Sequence, residues 1–279
     1  MELRFCSSFS RTICIVISAT TLVPPLLADV TISSRYVSAS LGGRDYSHRI
    51  LRIKGSKLRL DTGPTAEPFV TIYDLNEGTE IVWDPKQKRA EIHDLLRQSS
   101  AARHRVPTDN VQMTIEPTSN KRVFLGRSCR VYDFHLSARV AGRGSTFEEH
   151  LRGAMCISEE SPETKDVVDF IETARKQGIV FSAQDSNSAD ARLRTELYFY
   201  QSAVRGLVLA RNERIEFGGG NSGTSSGQWT LEVESINTEP IPDELFAVST
   251  DWKVKKGGSN PGRFPIHWKI GRREPNAQR

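Results

Sequence analysis

The sequence predicts a mainly β chain of the α+β class, an antiparallel sheet with one apolar face covered by a helix. Three observations predict it. Apolar residues recur at every second position in short runs, most clearly where Trp229, Leu231 and Val233 alternate with Thr230, Glu232 and Glu234, the spacing of a half-buried strand. Glycine-first dipeptides, Gly55-Ser56 and Gly142-Arg143, separate such runs where a two-residue hairpin turn needs them. A single convincing helical stretch, Pro162 to Gln177, supplies an amphipathic cover for the sheet.

Composition narrows the function classes. The chain has 279 residues, 37% hydrophobic and 26% charged, with mean hydropathy −0.43; collagen-like and wholly disordered classes are excluded, and the length suits one or two domains. Residues 1–28 read as a secretory signal peptide: Arg4 and Arg11 precede the uncharged run Thr12 to Leu27, and Ala28 offers a small residue at the cut. That run is too short and too polar to span a bilayer comfortably, and no later segment reaches about 20 apolar residues. No cysteine follows the cut, so a lipid anchor is not expected. Losing Arg4, Arg11 and Glu2 lowers the formal net charge from +4 to +3. Of the 4 cysteines, Cys129 and Cys156 remain, an even pair that in an exported chain points to one disulfide.

Ile50 to Asp61 (ILRIKGSKLRLD) reads as a hairpin with a type II′ turn at Gly55-Ser56. Leu51, Ile53, Leu58 and Leu60 share one face and Arg52, Lys54, Lys57 and Arg59 the other. Arg52 then opposes Arg59, which is unfavourable unless the register differs by two or that face is open to water. Phe69 to Leu75 and Thr79 to Asp84 form the next pair, around Asn76-Glu77-Gly78. Val123 to Ile157 is the most informative stretch. A turn at Gly142-Arg143 sets Cys129 opposite Cys156, Asp133 opposite Arg152 and His135 opposite His150. Directly opposed Cα atoms lie about 4.5–5.5 Å apart, within disulfide reach. The other face gathers Tyr132, Phe134, Leu136, Ala138 and Val140 against Phe147, Leu151 and Met155, with Glu149 as the misfit.

Ser161-Pro162-Glu163 opens the helix with a cap, proline at its first position and an acid in its first turn. Val167, Phe170, Ile171 and Ala174 make its apolar face, and Gly178 closes it. Gln184 to Arg192 reads as a loop, with strands at Glu196 to Val204, Arg214 to Phe217 and Trp229 to Ile236. Ile241 to Phe246 reads as a turn and one helical turn that docks Phe246. Lys253 to Arg279 holds eight Lys or Arg against one Glu, and residues 256–279 are expected to be a solvated basic tail. No period of 20 to 50 residues recurs.

No catalytic signature emerges. Gly223-Thr224-Ser225-Ser226-Gly227 matches GxSxG, but a strand and not a helix follows it, so it reads as a hairpin loop. No phosphate- or dinucleotide-binding fingerprint occurs. His135 and His150 are weak metal candidates, with Glu148 nearby; two exposed cross-strand histidines are the plainer reading, and no cofactor is expected. The basic surplus lies in the tail without aromatic interleaving, which argues against nucleic acid and fits an anionic envelope surface.

Four stretches carry a resemblance: Arg52 to Leu95 (with KGSKLRLD, FVTIYDL and TEIVWDPKQKRAEI), RVFLGRSCRVYDF, the helix after Cys156, and WTLEVESINTEPIPDELFAV. Together they span Thr31 to Lys255 and resemble the LolA/LolB-like periplasmic lipoprotein-carrier superfamily. The likeness is greater to an exported family of that architecture whose role is uncharacterised. The resemblance implies one domain over residues 29–255, a curved antiparallel sheet forming an open half-barrel, with helices on its concave face and a cavity for acyl chains. Tyr132, Phe134, Leu136, Phe147, Leu151 and Met155 either line that cavity or fill a core. Two functions are therefore expected. One is an exported, monomeric binding protein that holds a lipid or lipoprotein acyl chain without chemistry. The other is an envelope structural or interaction module with a closed core and a basic tail that binds a partner.

Overall fold

The computed structural model describes residues 29–40, 43–63, 68–85, 87–107, 110–141, 146–158, 161–181, 188–218 and 225–257. The predicted signal peptide, the Gly142-Arg143 turn and nearly all of the predicted tail lie outside them. The strands are β1 (Val30–Ser40), β2 (Gly43–Lys54), β3 (Lys57–Gly63), β4 (Phe69–Asp74), β5 (Thr79–Asp84), β6 (Arg89–Asp94), β7 (Val111–Phe124), β8 (Arg127–Ala141), β9 (Thr146–Ser158), β10 (Val208–Gly218), β11 (Ser225–Asn237) and β12 (Lys253–Lys256). They form one 12-stranded sheet in the order β12-β6-β5-β4-β3-β2-β1-β11-β10-β9-β8-β7. Its ends, β12 and β7, do not meet. The sheet curves around three helices, α1 (Leu95–Arg105), α2 (Pro162–Lys176) and α3 (Ser188–Ala203), which touch both halves of it and one another. The open half-barrel with helices on its concave face is therefore the observed fold. It is antiparallel throughout except that β12 runs parallel to β6, so the first four residues of the basic C-terminal segment belong to the sheet.

Local chemistry explains the elements that the sequence foretold. Gly55 has φ +56 and closes the β2–β3 hairpin in the predicted register, with Ile53 opposite Leu58 and Leu51 opposite Leu60. Arg52 does oppose Arg59, and neither expected remedy is used. Asp61 accepts from Arg52 and, at 2.7 Å, from Arg59 Nε, so one carboxylate reconciles two guanidiniums. Nor is that face open. Residues 238–252 fold over it and bury Ile241 and Phe246 against Val70, Ile72, Trp83 and Ala90, with Trp252 edge-on to Trp83 at 5.4 Å. The sheet is thus covered on its outer side at β3–β6 as well.

The α2 helix begins where its sequence says. Thr164 Oγ1 accepts from the Ser161 N–H at 2.8 Å, Arg127 of β8 grips Glu163 at 2.9 Å, and Gly178 (φ +66) ends the helix. Cys129 and Cys156 are bonded, with Cα atoms 5.4 Å apart. The hairpin register, however, is two residues from the predicted one: Cys129 pairs Ser158, Val131 pairs Cys156, His135 pairs Arg152, and Asp133 pairs Ala154. The disulfide is diagonal, and the Asp133–Arg152 pairing does not form. A slip of two keeps every side chain on its face, so the apolar set survives the correction.

Helices α1 and α3 and strand β7 are not expected from the sequence, and one expected strand is absent. Glu196 to Val204 is not a strand; α3 runs through most of it and takes in the end of the expected loop. Its Leu197-Tyr198-Phe199-Tyr200 run is rich in strand-favouring aromatics, and tertiary packing overrides that preference. The α1 helix buries only Leu95, Ser99 and Ala102, capped by Asp94, which accepts from the Arg97 N–H at 2.8 Å. So small a face leaves almost no periodic signal.

Candidate functional site

The concave face reads directly from the register. One row across it runs Tyr36, Leu231, Arg211, Met155 and Tyr132; the next runs Ser38, Trp229, Glu213, Gly153 and Phe134; the third runs Gly227, Ile215, Leu151 and Leu136. Gly153 is required in its row, because a Cβ there would meet the Asn212 carbonyl oxygen at 2.0 Å.

Helix α3 lies over these rows and offers two stripes at helical spacing. Ala189, Leu193 and Leu197 pack onto Phe134, Leu136, Leu151, Met155 and Ile215. Of the sequence-predicted cavity residues, Phe134, Leu136, Leu151 and Met155 are thus brought together and buried, and Tyr132 stands half-buried at their margin, edge-on to Tyr200 at 6.1 Å. The Phe147 side chain lies outside the described residues. Glu149, the misfit of the apolar phase, is fully buried.

The second stripe is ionic. Asp190 and Arg194 are paired at 2.5 Å, Arg194 also engages Glu213, and Arg211 Nε lies 3.0 Å from the same carboxylate. Arg194 sits over the Trp229 ring at 5.4 Å, and Arg211 over Tyr198 at 5.8 Å. Burial opposes the Glu213 charge, but Arg211 and Arg194 outweigh it and hold its pKa below the ordinary value. Burial likewise opposes the Arg194 and Arg211 charges, and Glu213 reverses that, leaving both more basic than usual. Asp190 is raised, burial prevailing over Arg194. Tyr36 is pushed up to about 12 by burial, so its hydroxyl stays protonated.

Beyond Tyr36 stands Arg49 of β2, half-buried, its Cζ 3.8 Å from the Tyr36 ring centroid. Its Nε is buried and has no hydrogen-bond partner among the described residues. The cluster therefore joins three guanidiniums to two carboxylates. It divides the apolar surface under α3 from that under α2, where Val167, Phe170 and Ile171 meet Ile53, Leu58 and Cys129. Sequence reasoning missed the five charged residues of this cluster, Arg49, Asp190, Arg194, Arg211 and Glu213. One signal existed: Arg211 and Glu213 fall in phase with buried Leu209 and Ile215 on β10.

The histidine candidates lie on the opposite, outer face. His135 Nε2 and His150 Nδ1 are 3.2 Å apart and their rings stack at 5.4 Å, although the two residues are diagonal and not directly opposite. Glu148 lies 3.8 Å from the other nitrogen of His150, so the three groups do not converge. No group of three or more His, Cys, Asp or Glu suited to a metal occurs among the described residues. Beside the pair, His135, Arg152, Asn212, Arg214 and Gln228 line an open cleft of about 490 Å³, in which Arg152 and Arg214 both bind Glu216.

No protein-family model matches the sequence, and no curated protein matches it. Solved structures similar to the chain include a LolA superfamily protein from Nitrosomonas europaea, at 10% identity and TM-score 0.28 over 79% of this chain and 90% of that one. An outer membrane lipoprotein-sorting protein domain from Vibrio parahaemolyticus is similar at 9% identity and TM-score 0.29, over 79% and 89%. PNGF-II is similar at 10% identity and TM-score 0.31, over 82% of this chain, which spans about a third of that protein (31%).

Proposed function

We propose that this chain is an exported binding protein that holds a lipid or lipoprotein acyl chain between α3 and the concave sheet and performs no chemistry on it. One observation carries the reading: the two helices that floor the half-barrel are held very differently. Helix α2 is rooted at the Cys129–Cys156 bond, capped at Thr164 and clamped by Arg127–Glu163. Helix α3 has no covalent tie: it rests on the Ala189, Leu193 and Leu197 stripe, on Tyr198 and Phe199 against the cluster under α2, on the Ser202–Glu172 hydrogen bond and on buried charges, and buried ion pairs are weak sources of stability. It is the element that can lift.

Lifting it uncovers Phe134, Leu136, Leu151, Met155 and Ile215 as one surface. Leu193 and Leu197 each lose about 1.5–3 kcal/mol of burial, and each buried methylene returns about 0.8 kcal/mol. About eight methylenes of an acyl chain offset both leucines. Native mass spectrometry and lipid extraction of the protein purified from an envelope fraction test the reading. Near-stoichiometric lipid is expected, and a lipid-free protein that takes up no added lipid would overturn it.

The tight packing of Leu136 and Leu151, each 0% exposed, supports a second reading, a closed-core envelope module whose basic tail binds an anionic partner. Truncation after Lys255 separates the two. Lost envelope association with unchanged lipid content favours the second.

A further inference from the structure

We infer that the ligand carries a single negative charge and that Arg49 receives it, an inference that rests on the proposed binding role. Charge balance within the cluster carries it; Glu149, the buried carboxylate farther along the same face, stands two rows beyond Glu213 and outside the cluster. With α3 in place, Arg49, Arg194 and Arg211 face Asp190 and Glu213, and Tyr36 is neutral. The cluster holds one positive charge too many.

When α3 lifts, it removes Arg194 and Asp190 together, because both belong to that helix and are paired at 2.5 Å. The sheet is left with Arg211 on Glu213 and, again, Arg49. Opening and closing do not change the surplus, and it resides on a side chain of the sheet in both states. A guanidinium half-buried against a tyrosine ring, with an unpartnered Nε, is poorly hydrated and keeps free donors. It favours a carboxylate or a phosphodiester over a neutral or zwitterionic head.

Position agrees with charge. Arg49 lies opposite Ser34 on β1, and Tyr36, Leu231 and Trp229 lead from there to the apolar floor at Ile215 and Leu151. An anionic head at Arg49 therefore sends its chain toward Leu136, crossing Arg211–Glu213, whose charges are already matched. A second negative charge on the head meets no further unmatched cation of the cluster among the described residues.

Binding of three probes to the full mature chain tests this: oleate, lysophosphatidylglycerol and lysophosphatidylcholine, read by tryptophan fluorescence and isothermal titration calorimetry. The wild-type protein is expected to bind the two anionic probes about tenfold more tightly than the zwitterionic one, the worth of about 1.4 kcal/mol. Arg49→Gln is expected to erase that preference and leave lysophosphatidylcholine unchanged, whereas Arg49→Lys retains it. Equal wild-type affinity for the two lysolipids would overturn the inference while leaving the binding role intact, and needs no variant to fold. Failure of all three probes to bind would overturn both. Oleate bound without lysophosphatidylglycerol would identify a carboxylate ligand, and the reverse a phospholipid.

Discussion

Breaking the Cys129–Cys156 bond gives the most quantitative check on the architecture. The bond closes a loop with a sequence separation of 27 residues, and the chain-entropy relation for a loop of that size gives about 3.5 kcal/mol at 25 °C. Both sulfurs are also buried in the cluster under α2, at 1% and 3% exposure, so substitution removes packing as well as the link. Reduced wild-type protein isolates the link, and the Cys129→Ala/Cys156→Ala double variant measures link and packing together. For a domain of this size about 2–4 °C accompanies each kcal/mol, so reduction is expected to lower Tm by roughly 7–14 °C, and the double variant somewhat more. Urea unfolding of oxidised, reduced and double-variant protein supplies the free energies, and thiol titration confirms the redox state. A change below about 1 kcal/mol on full reduction, or two free thiols in native exported protein, would refute the reasoning. The loss should also reach α2 before α3, because α2 begins six residues after Cys156. Hydrogen exchange that quickens first in α3 would contradict that order.

Glu213→Gln leaves Arg194 and Arg211 buried with their shared counter-charge removed, and is expected to cost about 3–5 kcal/mol; a loss under 1 kcal/mol in urea unfolding would mean that the cluster is hydrated. The Arg127–Glu163 clamp sets an acid dependence: the Arg127 hydrogen bond holds Glu163 down at about 2, below its unfolded value near 4.3. A depressed carboxyl stabilises the fold above its unfolded pKa and ceases to as pH falls through its folded one. Glu163→Gln should therefore cost about 1 kcal/mol at pH 7, discounted for partial exposure, and only a small remainder at pH 2, where the folded carboxyl is half protonated; an equal deficit at both pH values would refute the assignment.

The strands and their faces were largely legible in the sequence because alternation is a local property. Gly55 had to turn, and Trp229, Leu231 and Val233 had to point one way. The cap at Ser161 and the glycine at 178 bounded α2 for the same reason. The β8–β9 register was legible only to within two residues, since a slip of two preserves both the apolar face and disulfide reach. Helix α3 was hidden: Tyr198, Phe199 and Tyr200 favour a strand locally, and only contact with Phe134, Met155 and Arg211 makes the helix the better solution.

By itself, then, the chain's order of residues determined a half-covered sheet, one secure helix and one cross-link, all consequences of spacing and turn chemistry. Tertiary structure alone decided that Arg49, Arg194, Arg211, Asp190 and Glu213, drawn from β2, α3 and β10, meet on one concave surface. Charge has no periodicity that announces burial, and an ionic cluster exists only once distant segments have removed its members from water together.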